Sequence, residues 1–136
     1  MVADRFFIND GLAFDQATGA TALRVNRGGT VALPEGLLQV TSREITGYRW
    51  TDRERVNRKG RNEMVRDLQV VLRCPHPAST SVVEVIVAGQ EAVLGSDGRV
   101  RRFSLAASNE VWAAAVDGTA YGLAAAEARL YVSTDQ

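Results

Sequence analysis

"VLGSDGRVRRFSLAASNEVWAAAVDGTAYGLAAAEARLYVSTD", Val93 to Asp135, is the stretch whose reading decides the fold. Short apolar runs alternate with Ser96-Asp97-Gly98, Ala106 to Asn109, Asp117-Gly118 and Glu127-Ala128. Asp-Gly supplies the positive φ values that a tight hairpin turn needs. Ser81 to Ala88 ("SVVEVIVA") is rich in β-branched residues and leads through Gly89-Gln90 into the same pattern. Together these segments predict about six strands in about 53 residues, the spacing of an antiparallel all-β fold.

The stretch also repeats itself. Val93 to Asp97 lines up with Tyr131 to Asp135, 38 residues further on. After Asp97 the chain turns at Gly98 into another strand, whereas only Gln136 follows Asp135. The pattern therefore breaks off within a repeat. The beginning of the chain uses the same grammar: "RFFINDG" (Arg5 to Gly11) reads as a strand closing on Asp10-Gly11, and "LAFDQATG" (Leu12 to Gly19) as a strand with an Asp-x-x-Thr-Gly turn leading into "ATALRV". Asp10-Gly11 and Asp97-Gly98 lie 87 residues apart, about two units of 43, and repeats of this length are those of propeller blades.

The middle is less regular. Thr30 to Leu33, Leu37 to Thr41 and Glu44 to Trp50 read as strands. Arg49 to Arg66 ("RWTDRERVNRKGRNEMVR") holds seven Lys or Arg against three Asp or Glu and shows no alternation. It reads as a solvated loop inserted in a degenerate blade, with a patch for an acidic partner as the other reading. Met64 to Arg73 fits either a strand or a short amphipathic helix, since Met64, Leu68 and Val71 share a helical face. The resulting expectation is an all-β single domain over 1–136: blade-like 1–30, a degenerate blade with a charged insertion at 31–80, and blade-like 81–136.

Composition narrows the function classes. The 136 residues hold 16 basic and 16 acidic groups, so the net charge is zero. Nucleic acid and anionic membrane, which reward a basic excess, are not expected partners. No segment reaches the roughly 18 apolar residues of a membrane span. "MVADRFFINDG" lacks the basic and apolar regions of a signal peptide, so no export signal is expected in this chain and its compartment is left open. The single cysteine, Cys74, rules out an intrachain disulfide.

The residues from Ser96 to Asp135 are similar to the repeat of quinoprotein-like β-propellers, the PQQ-like repeat family. Asp97-Gly98 stands for the repeat's turn, Phe103 to Asn109 for its "ALDAATG" element, and Trp112 for its tryptophan. "LAFDQATGA" (Leu12 to Ala20) matches that element more closely through Asp15, Thr18 and Gly19. The resemblance covers Phe6 to Val25 and Val85 to Asp135. It departs from the family at Leu23 or Val25, where a tryptophan is expected, and at Ala107-Ser108, where Gly would allow a left-handed residue at low cost. It implies antiparallel four-stranded blades of a partial β-propeller. A family member has about seven or eight blades, and this chain supplies about three. An open arc of that kind exposes strand edges and apolar sheet faces to a protein partner, to further blades or to a second copy of itself. The resemblance also assigns Trp112 to packing between blades.

Chemistry-bearing residues are sparse. Cys74-Pro75-His76 places the only Cys and the only His two residues apart, as a metal half-site or a thiol and base would be, with Asp67 as a nearby additional ligand. Two flanking prolines, Pro75 and Pro77, make it a connection between strands instead. Dehydrogenases of the resembled family hold PQQ between a Trp and a vicinal disulfide beside calcium, and one cysteine cannot form that disulfide. Asp10, Asp97, Asp117 and Asp135 lack the ligand run of a calcium loop and read as turn residues. "NRGG" (Asn26 to Gly29) lacks the ending of a phosphate loop. Trp50 reads as strand packing or a rim residue. No catalytic, cofactor-binding or metal-ligating residue is assigned, and no cofactor is expected. The expected function is a non-catalytic scaffold for a protein or carbohydrate partner. The alternatives are a piece of a PQQ-dependent oxidoreductase and a self-contained small β-barrel or sandwich that assembles into oligomers.

Overall fold

The computed structural model describes residues 1–9, 11–24, 29–76 and 81–136. Among the described residues there are twelve strands and no helix. They form three four-stranded antiparallel sheets, each built from consecutive strands. The first holds β1 (Val2–Ala3), β2 (Phe6–Asn9), β3 (Leu12–Asp15) and β4 (Thr21–Arg24). The second holds β5 (Gly29–Leu33), β6 (Gly36–Val40), β7 (Glu44–Val56) and β8 (Asn62–Pro75). The third holds β9 (Glu84–Ala88), β10 (Glu91–Ser104), β11 (Asn109–Ala126) and β12 (Arg129–Thr134). The expected all-β class and the four-stranded antiparallel sheets are both present.

Local chemistry explains the first sheet. Along β2, Phe6 and Ile8 are buried while Phe7 and Asn9 face out, the two-residue period of a strand covered on one side. The turn after β3 is held by Asp15, whose Oδ1 accepts hydrogen bonds from the Ala17 N–H at 2.9 Å and the Thr18 N–H at 3.1 Å. Gly19 closes it at a φ of 70°, as its sequence signature predicts. Asp10 and Val25 lie outside the described residues.

The second sheet is covered on both faces, and that is why "GLLQV" of β6 shows no alternation: all five residues are buried. Leu37 packs with Ala3, Phe6, Ile8, Ala13 and Trp50 against the first sheet. Leu38 and Val40 pack with Ile45, Cys74, Ala92, Leu94 and Phe103 against the third. The order in space is therefore first sheet, second sheet, third sheet.

The charged stretch is not a loop. β7 and β8 pair without interruption from Glu44↔Pro75 to Val56↔Asn62 apart from one bulge at Gly47/Tyr48, and Met64 to Arg73 is strand throughout. Beyond Trp50 the pair continues as an exposed two-stranded arm, whose limbs reach about 20 Å at about 3.3 Å per residue. Alternation is absent because opposite charges meet across the ladder instead. Arg55 Nε donates to Glu63 at 2.8 Å, Arg53 Nε to Asp67 at 2.7 Å and Arg66 to Asp52 at 3.2 Å. The tip is organised by Asn57 Oδ1, which accepts from the Lys59 and Arg61 N–H groups, with Gly60 at a φ of 72°.

The third sheet corrects the strand count: Val93 to Thr134 carries three strands where five are read from sequence. Asp97-Gly98 and Asp117-Gly118 do not reverse the chain. They are bulges facing one another in β10 and β11, which are continuous through them, with Asp97 opposite Thr119 and both glycines at positive φ. The bulges split the sheet. β10 pairs with β9 only through Glu91–Gly95 and with β11 only from Asp97 on, while β11 pairs with β12 only from Ala120 on. The two hairpins so released fold toward each other around Val93, Val100 and Ala120, with Ile86, Val116, Leu123 and Leu130 packed alongside. Gly95 permits this approach, because a Cβ there would stand 2.6 Å from the Ala120 carbonyl oxygen.

Candidate functional site

Cys74 and His76 are both buried. Cys74 belongs to the apolar cluster between the second and third sheets, where its Sγ donates to the Ile45 carbonyl at 3.7 Å. Burial, and then the Glu44 charge, push its thiol above the usual range, which disfavours the thiolate that nucleophilic or metal chemistry requires. Asp67 is engaged by Arg53 on the arm. Among the described residues no group of three His, Cys, Asp or Glu could hold a metal ion.

His76 is held by its backbone N–H to the Arg43 carbonyl at 2.8 Å. Burial pushes its imidazole below the ordinary value and the Arg101 charge adds to this, with Glu110 opposing. Arg101 in turn donates to Glu110 at 2.6 Å. A histidine kept neutral by the fold binds its proton more readily when the chain is unfolded. The stability it contributes is complete above the unfolded value of about 6.5 and is lost as the pH falls below it. Urea midpoints are expected to fall between about pH 7 and pH 5, and to fall less steeply in His76→Gln. Equal slopes in the two proteins would contradict this placement of the imidazole.

Three of the acidic turn residues, Asp97, Asp117 and Asp135, lie at the split in the third sheet. Asp135 Oδ1 accepts from the Thr119 N–H at 2.7 Å, and the Thr119 hydroxyl donates to Asp97 at 3.4 Å. The two aspartates that align in the repeat thus meet at one bulge. Asn26 to Gly28 lie outside the described residues, and Gly29 opens β5.

Of the two tryptophans, Trp112 does not take the packed place that the resemblance implies, and Trp50 takes the first of its two readings, strand packing. Trp50 is the one buried between sheets, its ring 5.3 Å from that of Phe6. Trp112 is 43% exposed. It pairs with Arg102 across the ladder and belongs to none of the three buried clusters. It lines a groove of about 550 Å³ with Glu91, Val93, Arg102, Leu130 and four alanines, Ala88, Ala125, Ala126 and Ala128. Arg102 Nε pairs with Glu91 at 3.1 Å beside the indole. Glu127 and Arg129 complete the lining. The β11–β12 turn supplies one wall by placing Glu127 and Ala128 at φ values of 50° and 61°. Nothing in the sequence points to this groove, since the resemblance assigns Trp112 to packing between blades and the other walls come from separate hairpins.

These residues do not fit a quinone cofactor. The sole cysteine is in the apolar core, in a different cluster from Trp50, and does not line the groove of Trp112. Comparison of the chain with protein families, with curated proteins and with solved structures finds no match.

Proposed function

We propose that this chain is a non-catalytic interaction module, a partial β-propeller of PQQ-like repeats whose uncovered first-sheet face seats β-structure from a partner, in the simplest case a second copy. The contrast between the two ends of the stack carries this reading. At the third sheet the end is partly covered by the chain itself: the β11–β12 hairpin folds over Val93 and Val100, while Trp112, Tyr121 and Tyr131 stay exposed. At the first sheet it is open: Val2, Phe7 and Phe14 are cross-strand neighbours on the face turned away from the second sheet, and Val2 and Phe7 are 57% and 45% exposed. Such a row rewards the packing of another sheet against it. The propeller reading is supported by the strand order within each sheet and by the contacts of β1 with β5 and of β5 with β9, which run the first strands along a common edge as inner blade strands do. Fold alone fixes no activity, and the thiol and imidazole that could supply one are buried.

Light scattering behind a sizing column tests the reading. A discrete dimer or trimer is expected, returning to monomer in Phe7→Asp, which places a charge in the apolar row. A monomer at every concentration would sink it. The self-contained sandwich would then be favoured.

A further inference from the structure

We propose that the Trp112 groove is a binding site for a neutral oligosaccharide, with one sugar ring stacked on the indole and Glu91 and Arg102 hydrogen-bonding to its hydroxyls. The groove lies on the far side of the third sheet from the second sheet, whereas the assembly surface lies on the far side of the first. The two sites stand or fall separately.

The lining has the division that a sugar presents. A pyranose carries C–H groups on its faces and hydroxyls around its rim. The groove offers one half-exposed indole, with Arg102 beside it in the ladder and Glu91 paired to that arginine at 3.1 Å. A carboxylate accepts and a guanidinium donates, so the pair meets both halves of a vicinal diol without a change of charge. The remaining lining includes the methyl groups of Ala88, Ala125, Ala126 and Ala128, small side chains that take up little of the groove.

Charge selects among ligand classes. Glu91 and Glu127 are balanced by Arg102 and Arg129 around the groove. A polyanion or polycation would meet two like charges for every two opposite ones, whereas a neutral polyhydroxyl ligand meets no repulsion. A peptide anchored by a bulky side chain needs a deep apolar pocket. Here the most enclosed residue of the lining, Val93, is already only 4% exposed and packed in its own cluster.

Two tryptophans make the test direct. Trp50 is 8% exposed and Trp112 is 43% exposed, so a change in emission on adding ligand reports Trp112. The full chain would be titrated with cellohexaose, chitohexaose, maltohexaose and mannohexaose, following fluorescence and calorimetry. At least one is expected to give a saturating shift with a Kd between about 10 μM and 1 mM. Trp112→Ala is expected to weaken that binding at least tenfold, Trp112→Phe less, and Glu91→Gln by removing an acceptor. Both aromatic variants are expected to keep the wild-type urea midpoint, because the side chain is outside the core. Silence from all four sugars up to about 10 mM would overturn the proposal, as would binding that Trp112→Ala and Glu91→Gln leave unchanged. Saturable binding of a peptide in the groove in preference to all four sugars would overturn it as well.

Discussion

Replacing Gly36 by alanine is expected to destabilise the protein by about 3 kcal/mol or more, at the upper end of the cost of forcing atoms into a packed site. Gly36 opens β6, is buried, and faces Leu33 on one side and Arg49 on the other. A Cβ there would overlap the carbonyl group of Tyr48 and stand 3.0 Å from the Arg49 Cα. Those neighbours are backbone atoms in the centre of a sheet and cannot rotate away as a side chain would. Tyr48 is fixed by its pairing with both Leu37 and Val70, so relief requires β6 and β7 to separate where both faces of the sheet are covered. Gly60→Ala is the control. It sits at a φ of 72° with open space around its α-carbon, and its cost is the left-handed conformation alone, about 1 kcal/mol. Urea denaturation of the two variants separates the mechanisms. Equal, small losses would show that β6 and β7 can part cheaply.

The same two kinds of glycine explain what was legible in the sequence. Asp-Gly marks a residue with positive φ, and that much is right at Gly98 and Gly118. Whether the chain then reverses or bulges depends on the partner strand, and here two Asp-Gly pairs face each other. Local sequence carries no record of that. Asp15-Gln16-Ala17-Thr18-Gly19 was readable because the hydrogen bonds that shape its turn are made within it or to Ala20, and only the Gln16 N–H reaches another strand, at the Arg5 carbonyl. The arm was not, because its pairing logic lies between strands: Arg55 means little until Glu63 is opposite it. Trp112 and Trp50 each sit in strand-like sequence, and which one is covered is decided by the stacking order of the sheets. The candidate groove was illegible for a similar reason, since it is assembled from three hairpin segments that meet only after the third sheet splits.

Truncating Phe6 to alanine is expected to cost about 3–5 kcal/mol, a large share of the roughly 5–15 kcal/mol that holds a domain folded. Phe6 is fully buried and joins the first sheet to the second by packing on Trp50. Arg5 lies over the Phe6 ring at 5.3 Å and Arg66 over the Trp50 ring at 6.0 Å, so the aromatic pair is flanked by cations on both sides. Arg66 also bridges the sheets directly through Asp4 at 2.9 Å. That ion pair is about 30% exposed at both ends, where such contacts contribute about 0–1 kcal/mol. Packing therefore outweighs charge at this junction. Asp4→Asn should lower stability by no more than about 1 kcal/mol and lose its effect in high salt, while the Phe6→Ala loss should persist there. Phe7 supplies the internal comparison, being the next residue of the same strand on the opposite face. In the monomer Phe7→Ala should cost less than about 1 kcal/mol, and its effect should appear in association instead. If Phe6→Ala were as mild as Phe7→Ala, the first sheet would not be docked on the second, and the order of the stack would have to be revised.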